Sequence, residues 1–207
     1  MNRRKRSTSS PRMSADQRRT SILKSTIACI SKFGFWGFTI RDVAEAEGVT
    51  EAGLLYYFKS KEELLVKTLE YADSINAEAI AKRLGVSEET DISDGLGYHG
   101  DFSLKTLTTA TVEANVSRPQ LVSLYIVLQG ESLEDKHPAH QFFLDREQKV
   151  LHEYAYVAKR DRLENPDRIA LQTLSAMDGL QLRWLTGGKT MDFVDEWKRF
   201  INIIIPD

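Results

Sequence analysis

The sequence lacks the means for a disulfide framework: its 207 residues contain one cysteine, Cys29, which fits a reducing cytoplasm. It also lacks long hydrophobic runs, none approaching the ~18 apolar residues of a membrane-crossing helix. The basic N-terminus runs into Ser7 to Ser14 where a secretory leader would carry an apolar stretch, so no leader is read there. With 12 glycines and 5 prolines, collagen-like and mucin-like chains are excluded as well. What remains is an average globular composition, 42% hydrophobic and 28% charged, in a chain long enough for one or two domains with a sizeable core. Net charge is nearly absent too, at −2, which on its face argues against a nucleic-acid partner.

The distribution of charge reverses that argument. Residues 1–61 hold 12 Lys+Arg against 5 Asp+Glu, a net +7, whereas residues 62–207 hold 16 against 25, a net −9. A basic head on an acidic body has this asymmetry. Arg3, Arg4, Lys5, Arg6 and Arg12 supply five of the excess charges. Residues 1–13 carry no apolar periodicity and read as a disordered basic arm.

Everything beyond the arm reads as helix. Ser14 with Gln17 forms a capping box, and Ile22, Leu23, Thr26, Ile27, Ile30 and Phe33 recur at helical spacing up to a stop at Gly34. Phe35, Trp36 and Phe38 then supply aromatics to pack under a small core. Thr39 with Asp42 caps a short helix that Gly48 ends, and a second short helix runs through Phe58. Ser60 with Glu63 opens a long helix to about Leu84. Residues 85–101, with four glycines and five acidic residues, read as the one long loop. Helices follow from about Phe102 to Val116, Pro119 to Asp135, Pro138 to Leu163, Pro166 (after Asn165) to Thr186, and from a Thr190 cap to the C-terminus. The fold class expected is all-α: a three-helix head, residues 14–76, joined by a long helix to a helical body, residues 77–207.

Residues 39–58 carry the functional signal. Two short helices meet at a turn containing Gly48, flanked by a helix on each side, which is the pattern of a helix-turn-helix. In the second helix Leu54 and Phe58 are spaced to pack inward, leaving Thr50, Glu51, Gly53 and Tyr57 outward and the N-terminal end free for a major groove.

At these residues the sequence resembles the TetR family of transcriptional regulators. Phe33-Gly34-Phe35, Thr39 to Ala44, Gly48-Val49-Thr50, Leu54 to Phe58 and Lys61 to Leu65 carry the resemblance, which runs from about Ser14 to Leu69. It implies a cytoplasmic, nucleoid-associated homodimer on a pseudo-palindromic double-stranded DNA operator. A small-molecule effector, hydrophobic or aromatic, would release it, giving a repressor with no cofactor, metal, membrane or catalytic role. By the resemblance Thr39 contacts phosphate, Thr50, Glu51, Ala52 and Gly53 lie where bases are read, and Tyr56, Tyr57 and Lys61 contact the DNA backbone. Leu55 departs from the family's usual tyrosine. The recognition helix also has no Arg, Asn or Gln for bidentate base reading, which leaves readout to Thr, backbone and apolar contacts, or to DNA shape. The arm reaching a minor groove is a further hypothesis.

In the body, Tyr125, Phe142, Tyr156, Met177 and Trp184 are candidates to line the effector cavity. Leu174, Asp178, Gln181, Phe193, Trp197, Phe200, Ile201 and Ile204 are candidates for the dimer interface, through a four-helix bundle built from the last two helices of each copy. His137 and His140 have helical metal-ligand spacing, but Pro138 separates them, and a solvated helix end with a capping role is preferred to a metal site. Cys29 reads as inert core. An architectural or partner-recruiting DNA binder, or an all-helical enzyme, stays open as an alternative.

Overall fold

A computed structural model of the chain describes residues 13–86 and 100–205. The basic arm, apart from Met13, and residues 87–99 of the expected loop lie outside the described residues. All regular structure among the described residues is helical: α1 (Ala15–Gly37), α2 (Ile40–Glu47), α3 (Glu51–Leu55), α4 (Lys61–Leu84), α5 (Leu104–Val116), α6 (Pro119–Glu131), α7 (His140–Arg160), α8 (Pro166–Thr186) and α9 (Phe193–Ile204).

Local chemistry sets most boundaries. Ser14 and Gln17 exchange side-chain and backbone hydrogen bonds at the start of α1, and Thr39 and Asp42 do the same at α2. Gly48 ends α2 in the left-handed conformation, with φ 64°. Four expected boundaries are corrected. Ser103 starts α5 at Leu104 rather than Phe102, its Oγ accepting the Thr106 N–H at 3.2 Å. α6 ends at Glu131, before Asp135, and α7 begins at His140 rather than Pro138, because a tight turned segment joins them. Asp192, not Thr190, caps α9 by accepting the Asp195 N–H at 3.0 Å, while Thr190 Oγ1 donates to the Gly187 carbonyl. Asn165 holds the cap position of α8 at φ 53° without a side-chain cap bond.

Two apolar clusters organise the molecule. The first joins Ile22, Ile27 and Ile30 of α1, Phe35, Phe38, Val43, Leu54 and Phe58 with Leu64, Leu65 and Leu69 of α4. It does not stop at the head: Leu121, Leu124 and Leu128 of α6 and Phe143 of α7 belong to it, and α1 packs along α6. The buried hydroxyls of Thr26 and Thr68 are satisfied by the carbonyls of Ile22 (2.8 Å) and Leu64 (2.7 Å). The second cluster is the body, in which Ala79 and Ile80 of α4 join Leu104, Leu107, Val122, Tyr154, Met177, Trp184, Phe193, Trp197 and Ile201. α4 therefore has its N-terminal half in one core and its C-terminal half in the other.

Candidate DNA-reading head and effector cavity

The helix-turn-helix is α2, the Gly48 turn and α3. Its second helix is shorter than expected, closing at Leu55, so Tyr56 and Tyr57 sit in the turn that follows. Thr50 caps it, its hydroxyl accepting the Gly53 N–H at 3.0 Å. Leu54 and Phe58 point into the head core as their spacing predicts. Thr50, Glu51 and Ala52 are exposed, Gly53 is half-buried, and Tyr56 is 83% exposed with its ring edge against Tyr57. Tyr57 is half-buried against the head core. Thr39 is exposed, but its hydroxyl is already engaged with the Asp42 carboxylate at 2.7 Å. The bonds from Thr39 hold the Asp42 carboxyl below its ordinary range.

Two basic residues lie against aromatic rings in ways the sequence did not signal, Arg19 staying exposed and Lys61 half-buried. Arg19 of α1 donates to the Tyr57 carbonyl at 2.9 Å and lies over the Phe58 ring, bracing the C-terminal end of the reading element. Lys61 lies over the rings of Phe35 (4.5 Å) and Phe38 (4.6 Å), and partial burial lowers its ammonium pKa. Arg18 pairs with Glu47 at 3.4 Å and Arg41 with Glu45 at 2.7 Å.

The joint between head and body lies where α1 ends. Gly34 has φ 71° and ψ 178°, a backbone region open essentially to glycine alone. A Cβ there would overlap the Glu131 carboxylate, which accepts the Phe35 N–H at 2.8 Å. His137 stands beside it, its Nε2 3.6 Å from Glu131 and its ring edge-on to Phe35 and Trp36. The expected solvated helix end is thus corrected: His137 is buried, because the α6–α7 turn folds onto the end of α1. Its Nδ1 accepts the Ala139 N–H at 3.1 Å within the turn before α7, which has no side-chain cap bond, so the expected capping role is corrected too, and burial lowers its pKa. Among the described residues no group of three or more potential ligands is placed to hold a metal. Trp36, expected beneath the core, is 60% exposed, while Phe35 and Phe38 are buried. Cys29 is half-buried beside the head core, its thiol pKa raised by burial.

In the body, α4 to α8 surround a cavity of about 230 Å³. Tyr125 and Met177 line it. The other three candidate lining residues stand elsewhere: Phe142 packs beside the head core, Tyr156 is exposed, and Trp184 is enclosed by the body core. Aromatic size at helical spacing does not say which side of a helix meets a void. The polar lining was missed altogether: Asp73, Asn76, Arg146, Glu153 and, assigned instead to the dimer face, Asp178 and Gln181. A wall this polar departs from a site for a purely hydrophobic or aromatic effector. Asp73 accepts from Tyr125 Oη at 2.5 Å and from Arg146 Nε at 3.1 Å, and Arg146 lies over the Tyr125 ring at 4.4 Å. Burial opposes the charge on Arg146, but Tyr125 and Asp73 more than offset it and raise its pKa.

The expected dimer residues also divide. Phe193, Trp197 and Ile201 are enclosed by the protomer's own helices and form core instead of an outer face. Leu174, Asp178 and Gln181 face the cavity. Phe200 and Ile204 are half-buried at the edge of α9. The outward apolar residues nearby are Leu171 and Leu182 of α8 and Ile203 of α9, with exposed Ser175 and Gly179 between the two leucines.

A compact head with this tri-helical arrangement and a protruding, capped second helix defines a helix-turn-helix DNA-binding protein. Residues 22–68 match the family described as bacterial regulatory proteins, tetR family. The chain is 23% identical to the HTH-type transcriptional regulator TtgR of Pseudomonas putida, over 91% of this chain and 90% of that one. It is 26% identical to the HTH-type transcriptional repressor NicS, also of Pseudomonas putida, over 79% and 83%. The fold is shared with a solved transcriptional regulator from Saccharomonospora viridis in complex with choline (TM-score 0.67, 20% identity, 92% of this chain and 96% of that one). The head therefore carries a helix-turn-helix domain of the TetR type, and the chain is similar over most of its length to HTH-type transcriptional regulators.

Proposed function

We propose that this regulator is an effector-responsive repressor that binds a pseudo-palindromic operator as a homodimer. The observation that carries the reading is the double membership of α4. Leu64, Leu65 and Leu69 anchor it in the head core, whereas Asp73, Asn76, Ala77 and Ile80 line the cavity. A molecule filling the cavity presses on the helix that positions the head, and a coupling of about 1–3 kcal/mol suffices for a ~5–150-fold change in operator affinity. Thr50, Glu51, Ala52 and Gly53 lie on the element that enters the major groove, with Thr39, Tyr56, Tyr57 and Lys61 at the phosphates. Half-site centres then lie about 34–36 Å apart, or a multiple of that. The outward residues Leu171 and Leu182 of α8 and Ile203 of α9, with Phe200 and Ile204, support a bundle with the same helices of a second copy. The small Ser175 and Gly179 on the same face of α8 permit close approach. The similarity to a repressor and to a choline-bound regulator supports repression and a small-molecule site.

The test is footprinting on the DNA flanking the chain's own coding region, with the mass in solution measured in parallel. A protected inverted repeat bound by a dimer is expected. Sequence-independent binding, or a monomer at the DNA-binding concentration, overturns the reading. In the same assay Lys61→Ala is expected to weaken binding similarly across sequences and to reduce the salt slope by about one. An unchanged slope removes Lys61 from the contacts and leaves it as a brace on Phe35 and Phe38.

A further inference from the structure

The body cavity contains one charge group that is complete and two that are not. Asp73, Tyr125 and Arg146 satisfy one another, as described above. Glu153 of α7 and Asp178 of α8 line the same cavity. Asp178 receives only a long contact from Gln181 Nε2 at 3.4 Å. Among the described residues Glu153 has neither a hydrogen-bond nor an ion-pair partner, and the enclosed Asn76 Oδ1 on α4 has no donor. Lys149, the other cation at the wall, is exposed. Both carboxyls are half-buried, and the charge support they receive from Arg146, already engaged by Asp73, does not offset that burial, so each favours a proton or a further cation. Burial raises the Glu153 pKa to about 8 and that of Asp178 to about 6, which shifts both carboxyls towards the protonated form.

We propose that the effector is a small organic cation, an amine or quaternary ammonium, whose charge is received by Glu153 and Asp178. Asn76 Oδ1 accepts a hydrogen bond from the ligand's hydroxyl or N–H group. Ile80, Leu107, Ile126 and Met177 cover its apolar part. The assignment names the effector class of the site in the preceding reading and rests on that reading. Because Asn76 is on α4, the ligand touches the helix shared with the head. The arrangement also makes binding proton-linked. The charged and titratable groups around the two carboxyls are Asp73 on α4, Tyr125 on α6, and Arg146, Glu147, Lys149 and Tyr154 on α7. Thr111 and Asn115 on α5 do not titrate. An incoming fixed positive charge drives Glu153 and Asp178 to ionise, so binding releases protons and tightens as pH rises through their range.

Calorimetry on the full chain tests this with choline and benzyltrimethylammonium against their uncharged isosteres, 3,3-dimethylbutan-1-ol and neopentylbenzene. Titrations at pH 6 and pH 9, in buffers of different ionisation enthalpy, count the protons released. At least one of the two cations is expected to bind at least tenfold more tightly than its isostere and at least tenfold more tightly at pH 9 than at pH 6, with proton release. The Glu153→Gln/Asp178→Asn variant is expected to lose both the charge preference and the proton release. Equal binding of the isosteres, no binding of either cation, or an unchanged preference in the variant overturns the proposal. Operator binding measured alongside separates the two readings. A cation that fills the cavity and leaves operator affinity unchanged overturns the regulatory reading and keeps the cavity assignment. A neutral isostere that frees the operator where the cations do not overturns the cation and keeps the regulatory reading.

Discussion

Gly34→Ala is expected to lower the melting temperature by roughly 6–12 °C, the equivalent of about 3 kcal/mol in a chain of this size. Two costs combine. The backbone at φ 71° and ψ 178° is closed to residues with a Cβ, at about 1–3 kcal/mol for holding one there. The added methyl also overlaps the Glu131 carboxylate, and if Glu131 withdraws, the Phe35 N–H loses its acceptor at a cost of ~1–3 kcal/mol. The damage falls at the joint where α1 meets the α6–α7 turn, so operator affinity is expected to fall with stability. Thermal unfolding of Gly34→Ala, Glu131→Ala and the double variant is the check. The double variant is expected to lose less than the sum of the singles, because removing the carboxylate removes the overlap. A melting temperature within about 2 °C of the parent for Gly34→Ala, below the shift expected for 1 kcal/mol, excludes the joint as a point of strain.

Glu153→Gln is expected to stabilise the ligand-free protein at alkaline pH and to do little at pH 4. Glu153 binds its proton more tightly folded, with a pKa of about 8 against an ordinary value of 4.5. Between those values the native state holds more protons than the unfolded chain, so this group's contribution falls as pH rises from about 4.5 to about 8 and is flat above. One pKa unit corresponds to about 1.4 kcal/mol, and water reaching the cavity discounts the full shift to an effect on the order of 2–4 kcal/mol at pH 9. Denaturant unfolding of parent and variant at pH 4, 6 and 9 checks it. Curves that run parallel at all three values show that Glu153 ionises freely in the folded state.

Much of the head was legible in the chain because its signals are local. Capping residues bond to backbone three positions away, so Ser14, Thr39 and Ser60 announce their helices regardless of what packs above them. Leu54 and Phe58 follow the same logic, since a short amphipathic helix has one inward face. The placement of Arg19 and Lys61 over aromatic rings was not legible: a basic residue is read as a solvated charge until the rings are placed beneath it.

The body divides the same way. By itself the sequence determined the helices, their approximate ends, the charge asymmetry and the reading head. These follow from hydrogen bonds and periodicities within a few residues. Only the tertiary structure decided that Trp197 and Phe193 are core, that Leu171, Leu182 and Ile203 look outward, and that Glu153 and Asp178 share a cavity with Asp73 and Arg146. The physical reason is that a helix in a multi-helix body has several buried sides. Its 3.6-residue period records that a side chain is covered, whereas the cover, whether neighbour, void or second copy, is set by residues tens of positions away.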